Sequence, residues 1–187
     1  TGHIITCDSN EVGDQMTISS GGTLKIVTGG TLTLKRVSGN DLGVSGTLEY
    51  AGGTLDRTTN NAVITVLSGG RYLHSIPSST LTLPTIAWAN GSTCTITGLN
   101  NVTPITASNM GQSFRKLTIE TSAANKLCFS STGTRNTTIG VLEVKGGELV
   151  GYSGTANGTL KITTTTIQNG KFTFSTSSES SIFNTTG

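Results

Sequence analysis

The sequence predicts an all-β chain, a right-handed parallel β-solenoid (β-helix) of about 23–24 residues per coil and roughly eight coils in 187 residues. Three observations predict it. The first is composition. Gly (25), Thr (36), Ser (21) and Asn (13) make up about half the chain, while charged residues are 12% and aromatic residues 5%. All four are poor helix formers, and Thr favours a pleated, half-buried surface. The second is a repeat. Gly-Thr-Leu occurs at Gly22-Thr23-Leu24, Gly30-Thr31-Leu32, Gly46-Thr47-Leu48, Gly53-Thr54-Leu55 and Gly158-Thr159-Leu160. Leu24 to Leu48 is 24 residues, and Leu32 to Leu55 is 23. The third is period-two alternation of apolar and polar residues within each unit, the mark of a half-buried strand.

The elements follow in order. Leu24 and Ile26 share one face of a strand, with Thr23 and Lys25 on the other. Gly29-Gly30 supplies a corner, where positive φ costs Gly little. Leu32 and Leu34 repeat the alternation, as do Leu48 and Tyr50, Ile64 and Val66, Leu142 and Val144, and Phe172 and Phe174. Carried onward from Leu24 and Leu48, the first series reaches Tyr72, Ile96, Ile119, Leu142 and Ile167, all apolar. Independently, Val144-Lys145-Gly146-Gly147 matches Ile167-Gln168-Asn169-Gly170 at a step of 23. A hairpin-built sandwich also has strands every 8–12 residues or so, but it has no reason to keep a constant register. Right-handedness is taken from the general rule for parallel connections.

Residues 1–187 are read as a single solenoid segment, a piece of a longer protein, because Thr1 is not an initiator and the pattern is still running at Ser180–Gly187. The net charge of +2, with twelve basic residues scattered among ten acids, argues against nucleic acid. No apolar run approaches the roughly 18 residues of a membrane helix, so membrane insertion is not expected. Three Pro and no Pro-Gly run exclude collagen. Cys7, Cys94 and Cys128 cannot all pair within one chain. Alternation turns Cys94 inward with Ile96, and turns Cys128 away from Leu127 and Phe129. A Cys94–Cys128 bridge is therefore not favoured, and small buried thiols are expected.

Chemistry is sparse. Glu120 and Glu143, 23 residues apart, would stack one coil above the other and could act as a carboxylate pair. The competing reading is two solvated outer residues balanced by Lys116 or Lys145. His3 and His74 show no zinc spacing, and His74 sits on the register of Ile26 and Tyr50, which predicts packing. No catalytic, cofactor-binding or metal residue is assigned, and no cofactor is expected. Thr-x-Thr at Thr31/Thr33, Thr80/Thr82, Thr95/Thr97 and Thr163/Thr165 does not recur once per coil, as an ice-binding face would require. Asn-x-Ser/Thr at Asn90, Asn101, Asn136, Asn157 and Asn184 is no more than composition gives. Tyr50 should face inward with Leu48. Trp88, at a strand end in Ala87-Trp88-Ala89-Asn90-Gly91-Ser92, is the candidate ligand-binding residue, set against the alternative of core packing.

Ser19-Ser20-Gly21-Gly22-Thr23-Leu24 through Gly46-Thr47-Leu48-Glu49-Tyr50, then Trp88–Gly98, then Gln112-Ser113-Phe114-Arg115-Lys116-Leu117-Thr118-Ile119, follow a recurring order. It resembles the Gly/Thr-rich β-solenoid regions of large secreted and cell-surface proteins of Bacteroidota. Many of these look like cargo of the type IX secretion system, and some are gliding-motility adhesins. The resemblance implies a non-catalytic structural or adhesive stalk segment at the cell surface or outside the cell. Expected partners are neighbouring domains of the same longer chain, secretion or surface-anchoring proteins, and surface polysaccharide. A module that binds or cleaves polysaccharide is the first alternative, and an ice-binding solenoid the second. The Asp-Ser/Thr-apolar glycosylation signal common in that phylum is missing, since Asn10 follows Asp8-Ser9.

Overall fold

A computed structural model describes residues 2–36, 39–57, 61–78, 81–100, 105–130, 134–152, 157–175 and 182–184. Every regular element among them is a β-strand. In chain order these are β1 (Ile4–Cys7), β2 (Asn10–Gly13), β3 (Met16–Ile18), β4 (Thr23–Val27), β5 (Thr31–Leu34), β6 (Leu42–Val44), β7 (Thr47–Ala51), β8 (Thr54–Asp56), β9 (Ile64–Val66) and β10 (Arg71–His74). There follow β11 (Leu81–Thr82), β12 (Ala87–Trp88), β13 (Thr93–Ile96), β14 (Ile105–Ser108), β15 (Ser113–Glu120), β16 (Lys126–Ser130), β17 (Thr134–Tyr152), β18 (Asn157–Ile167), β19 (Gly170–Ser175) and β20 (Ile182–Asn184). The fold is a parallel β-solenoid. It makes about six turns, against the roughly eight expected from the repeat.

The chain divides into two compact units, Thr1–Ile76 with Thr85–Cys94, and Pro77–Pro84 with Thr95–Gly187. In the first unit three columns of parallel strands stack, β1-β4-β7-β10, β2-β5-β8 and β3-β6-β9-β12. Leu24 stands opposite Leu48, and Leu48 opposite Tyr72, so the predicted step of 24 holds here. Leu32 stands opposite Leu55, 23 residues on. The Leu, Ile and Val side chains at these register positions are mostly buried and form the core.

The glycine pairs have two separate jobs. Gly29 takes φ +92°, inside a turn closed by the Gly30 N–H donating to Val27 at 2.9 Å. Gly30 follows because its Cα faces the backbone of the turn before: a β-carbon there would lie 2.1 Å from the carbonyl oxygen of Cys7. Gly69-Gly70 repeats both features, with φ +76° and a would-be β-carbon 2.0 Å from the Val44 oxygen. Positive φ and close approach are both glycine properties.

In the second unit, β15, β17, β18 and β20 form one column, and β11, β14, β16, β17 and β19 the other. β17 serves both columns because its 19 residues turn a corner at Gly146-Gly147, where Gly147 takes φ +77°. Val144 opposite Ile167, and Gly147 opposite Gly170, bear out the predicted 23-residue match.

The long apolar series needs correction beyond Tyr72. The Thr93 N–H donates to Gly70 as the Arg71 N–H does to Gly46. Cys94 therefore follows Tyr72, where Ile96 was expected. In the second unit Ile119 stands opposite Val144, and Leu142 opposite Thr165; Ile167 belongs with Val144. The expected path crosses between two inward columns. Steps between partners range from 19 (Ile4 to Thr23) to 26 (Met16 to Leu42). A two-residue slip returns a side chain to the same face, so alternation cannot register it.

Candidate functional site

The outer faces carry the charges, and the register of the coils decides what they meet. Glu49 projects from β7 beside Lys25 of β4, its register partner, at 2.9 Å, and accepts from the Ser75 hydroxyl at 2.7 Å. Partial burial alone would raise its pKa. The Lys25 ammonium and Ser75 outweigh that, and the carboxyl titrates below its ordinary value.

Glu143 of β17 lies 2.7 Å from Lys116 and 3.7 Å from Lys145, and accepts from Thr118 at 3.3 Å. The Lys116 hydrogen bond is the main reason its pKa is lowered. Both lysines suggested by the sequence as counter-charges are thus engaged. The expected Glu120/Glu143 stack does not form. A register shift between Ile119 and Glu120 sets Glu120 opposite Gly146, while Glu143 stands opposite Thr118. One carboxylate is locked by lysines and the other belongs to a different row, so the pair offers no acid/base couple.

The strongest ionic cluster escaped the sequence reading. Glu148 stands opposite both Lys126 and Lys171, with ammonium contacts at 3.3 and 3.1 Å. The Thr173 hydroxyl donates to it at 2.6 Å, and this bond leads in pulling its pKa down to about 2. The signal was present as steps of 22 and 23 along the chain.

The buried polar groups are structural in their contacts. Asp41 accepts from the Val63 N–H at 2.6 Å. His74 is buried opposite Tyr50, as its register predicted, with the two rings stacked at 5.2 Å, and its Nδ1 lies 3.3 Å from the Tyr72 hydroxyl. Burial lowers its pKa to about 4. Tyr50 faces inward but remains half-buried. In the second unit, Asn109 donates to the Leu83 carbonyl at 2.8 Å and Thr137 to Met110 at 2.8 Å, each to the backbone one turn earlier.

Trp88 is 8% exposed, in β12 opposite Val66. The sequence expectation that Trp88 is an exposed stacking platform is corrected: the strand-end position does not leave its side chain open. All three cysteines are free and buried. Cys128 is buried together with both Leu127 and Phe129, and its partner Val150 is buried too. Both faces of β16 are therefore covered there, which alternation did not anticipate.

The threonine pairs do not align. Thr31 stands opposite Thr54, but Thr165 stands opposite Leu142; Thr80 lies outside the described residues, as does Asn101. Among the described residues no group of three or more His, Cys, Asp or Glu is placed to hold a metal. A cavity of about 470 Å³ opens at the first turn, between Gly2, Ile5, Met16, Ile18 and Leu24.

These features define a parallel β-solenoid in which Glu49, Glu143 and Glu148 are bound by lysines of adjacent turns. Compared with known proteins, the chain matches no family model, no curated protein and no solved structure.

Proposed function

We propose that the chain is a non-catalytic structural and adhesive stalk segment of an extracellular or cell-surface protein, carried out of the cell as type IX secretion cargo. The observation that supports this reading is the use made of the carboxylates. Glu49, Glu143 and Glu148 hold lysines of their own or adjacent turns, and so tie turn to turn rather than facing a cleft. Parallel backbone ladders and inward apolar columns add lateral cohesion, while Thr, Ser and Lys offer a hydroxyl-rich outer surface. Neighbouring domains of a longer chain, anchoring proteins and surface polysaccharide are the partners such a segment would have.

An antibody raised against the 187-residue chain tests this on intact cells of the producing organism. Labelling of intact cells, removed by mild external proteolysis, is the expected result. Labelling that requires permeabilised cells sinks the reading.

A further inference from the structure

Asn90 and Gly91 are the central residues of a corner turn. The Ser92 N–H donates to the Ala89 carbonyl at 3.0 Å, and Gly91 takes φ +80°. Asn90 and Gly91 are both exposed, while Trp88 before them and Ser92 after them are buried. The turn is tied to its neighbour through the Gly91 carbonyl, which accepts from the Gly69 N–H at 3.2 Å. Among the described residues, neither the Asn90 carbonyl nor the Gly91 N–H holds a backbone hydrogen bond. The peptide unit between the two residues is therefore outside the ladders that fix the strands.

The chemistry of this corner is its own. The positive-φ glycines Gly21, Gly29 and Gly69 follow Ser20, Thr28 and Ser68, whereas Gly91 follows an asparagine. A β-carbon on Gly91 would lie 2.9 Å from the Ser68 hydroxyl, so both its φ and the close approach of the adjacent turn call for glycine. With no side chain on that glycine, nothing shields its amide nitrogen from the asparagine beside it. Two further Asn-Gly pairs occur, Asn157-Gly158 and Asn169-Gly170. Their glycines are paired, Gly158 in β18 opposite Arg135 and Gly170 in β19 opposite Gly147.

We infer that Asn90 is a modification site, at which the folded chain converts its own asparagine to aspartate and isoaspartate through a cyclic imide. The Gly91 nitrogen loses its proton to solvent base and attacks the Asn90 side-chain amide carbon. The Cγ–Nδ2 bond breaks, and ammonia leaves with a proton. Water then opens the imide at either carbonyl, and the ring nitrogen takes back a proton. Water is the co-reactant, and nothing is oxidised or reduced. Opening at the main-chain carbonyl gives isoaspartate, which routes the backbone through the side chain and lengthens it by a methylene between Ala89 and Ser92. Either product places a new carboxylate on the corner. This inference does not rest on the stalk reading, since it concerns the chemistry of one turn.

The test is incubation of the folded 187-residue chain at mildly alkaline pH. Peptide mapping by mass spectrometry follows each asparagine, and an isoaspartyl methyltransferase labels the isoaspartate. Conversion at Asn90 should exceed that at Asn157 and at Asn169 by about fivefold or more, because the chain there must first leave a strand pairing. In denaturing urea the three rates should converge, since the fold no longer selects among them. Asn90→Gln, whose longer side chain closes the ring poorly, should remove the main product of the folded chain and leave the other two sites unchanged. Circular dichroism establishes that the variant is folded. Absence of isoaspartate at Asn90 in the folded chain overturns the inference. So do equal rates at the three sites before unfolding, or the same preference for Asn90 in urea, which would assign it to local sequence alone.

Discussion

The carboxylate of Glu148 lies 3.1 Å from the ammonium of Lys171, its register partner one turn further along the chain. Lys126, one turn earlier, holds the same carboxylate from the other side. A negative charge between two positive ones in successive turns binds three turns with one side chain.

The Glu148 pKa of about 2 lies below the usual 4.5, so its contribution to stability is present above pH 4.5 and fades as pH falls toward 2. The lysines are partly exposed, which screens the interaction. Glu148→Gln should cost about 1 kcal/mol at neutral pH and flatten the acid limb of a urea-midpoint profile in that window. An unchanged profile would show that the cluster does not contribute.

His74 gives a separate window. Its pKa is about 4 against 6.5 when unburied, so the unfolded chain binds the proton more readily than the folded one. Stability should therefore fall as pH drops from about 6.5 to about 4, by up to about 3 kcal/mol, and then level off. His74→Phe should remove that slope. Persistence of the slope in the variant would assign it to other groups.

Gly70→Ala should destabilise by about 2–4 kcal/mol, because the new β-carbon would sit on the Val44 carbonyl. Gly43→Ala is the control. Its nearest neighbour, Leu67 Cδ1, would be 3.7 Å away, and the effect should stay within about 0.5 kcal/mol. Equal effects at both sites would contradict the close approach of adjacent turns.

Ser92 occupies the place that the second glycine fills in other corners: its N–H donates to Ala89 at 3.0 Å, after Gly91 at φ +80°. Its hydroxyl is buried with no hydrogen-bond partner among the described residues. Ser92→Ala should raise stability by about 1 kcal/mol, the cost of an unpaired buried hydroxyl. A loss measured by chemical denaturation would mean the hydroxyl is satisfied.

Trp88 is the single tryptophan, so its fluorescence reports one site. Emission should be blue-shifted, resist acrylamide quenching, remain unchanged on adding polysaccharides, and move to longer wavelength on unfolding. Ready quenching in the native state would restore it as a surface aromatic.

The sequence made the strands, the corners and the local repeat legible, since each rests on neighbouring residues. Leu24, Leu48 and Tyr72 could be aligned because two successive turns have the same length. The path through Ile96 and Ile119 could not, because turn lengths vary and a slip of two residues is silent to alternation. The same blindness misplaced Glu120 against Glu143, where the step between partners is 25 (Thr118 to Glu143) and not 23, and passed over Lys126, Glu148 and Lys171, whose spacing was visible once the repeat was applied to charges. The burial of Trp88 and of Cys128 depended on what covers a strand, which no local pattern contains.

The short separation between partners in adjacent turns, 19 to 26 residues, also sets how the chain acquires its structure. Each turn must close a loop of similar length, so each pays a similar entropic cost, which rises only slowly with length. No contact between distant parts of the sequence is required before neighbouring turns can reward one another. Nucleation can then begin at whichever pair of turns is locally most stable and propagate outward, as in a one-dimensional lattice. A substitution such as Gly70→Ala should accordingly act as a break in that lattice, dividing the cooperative unit at its own position.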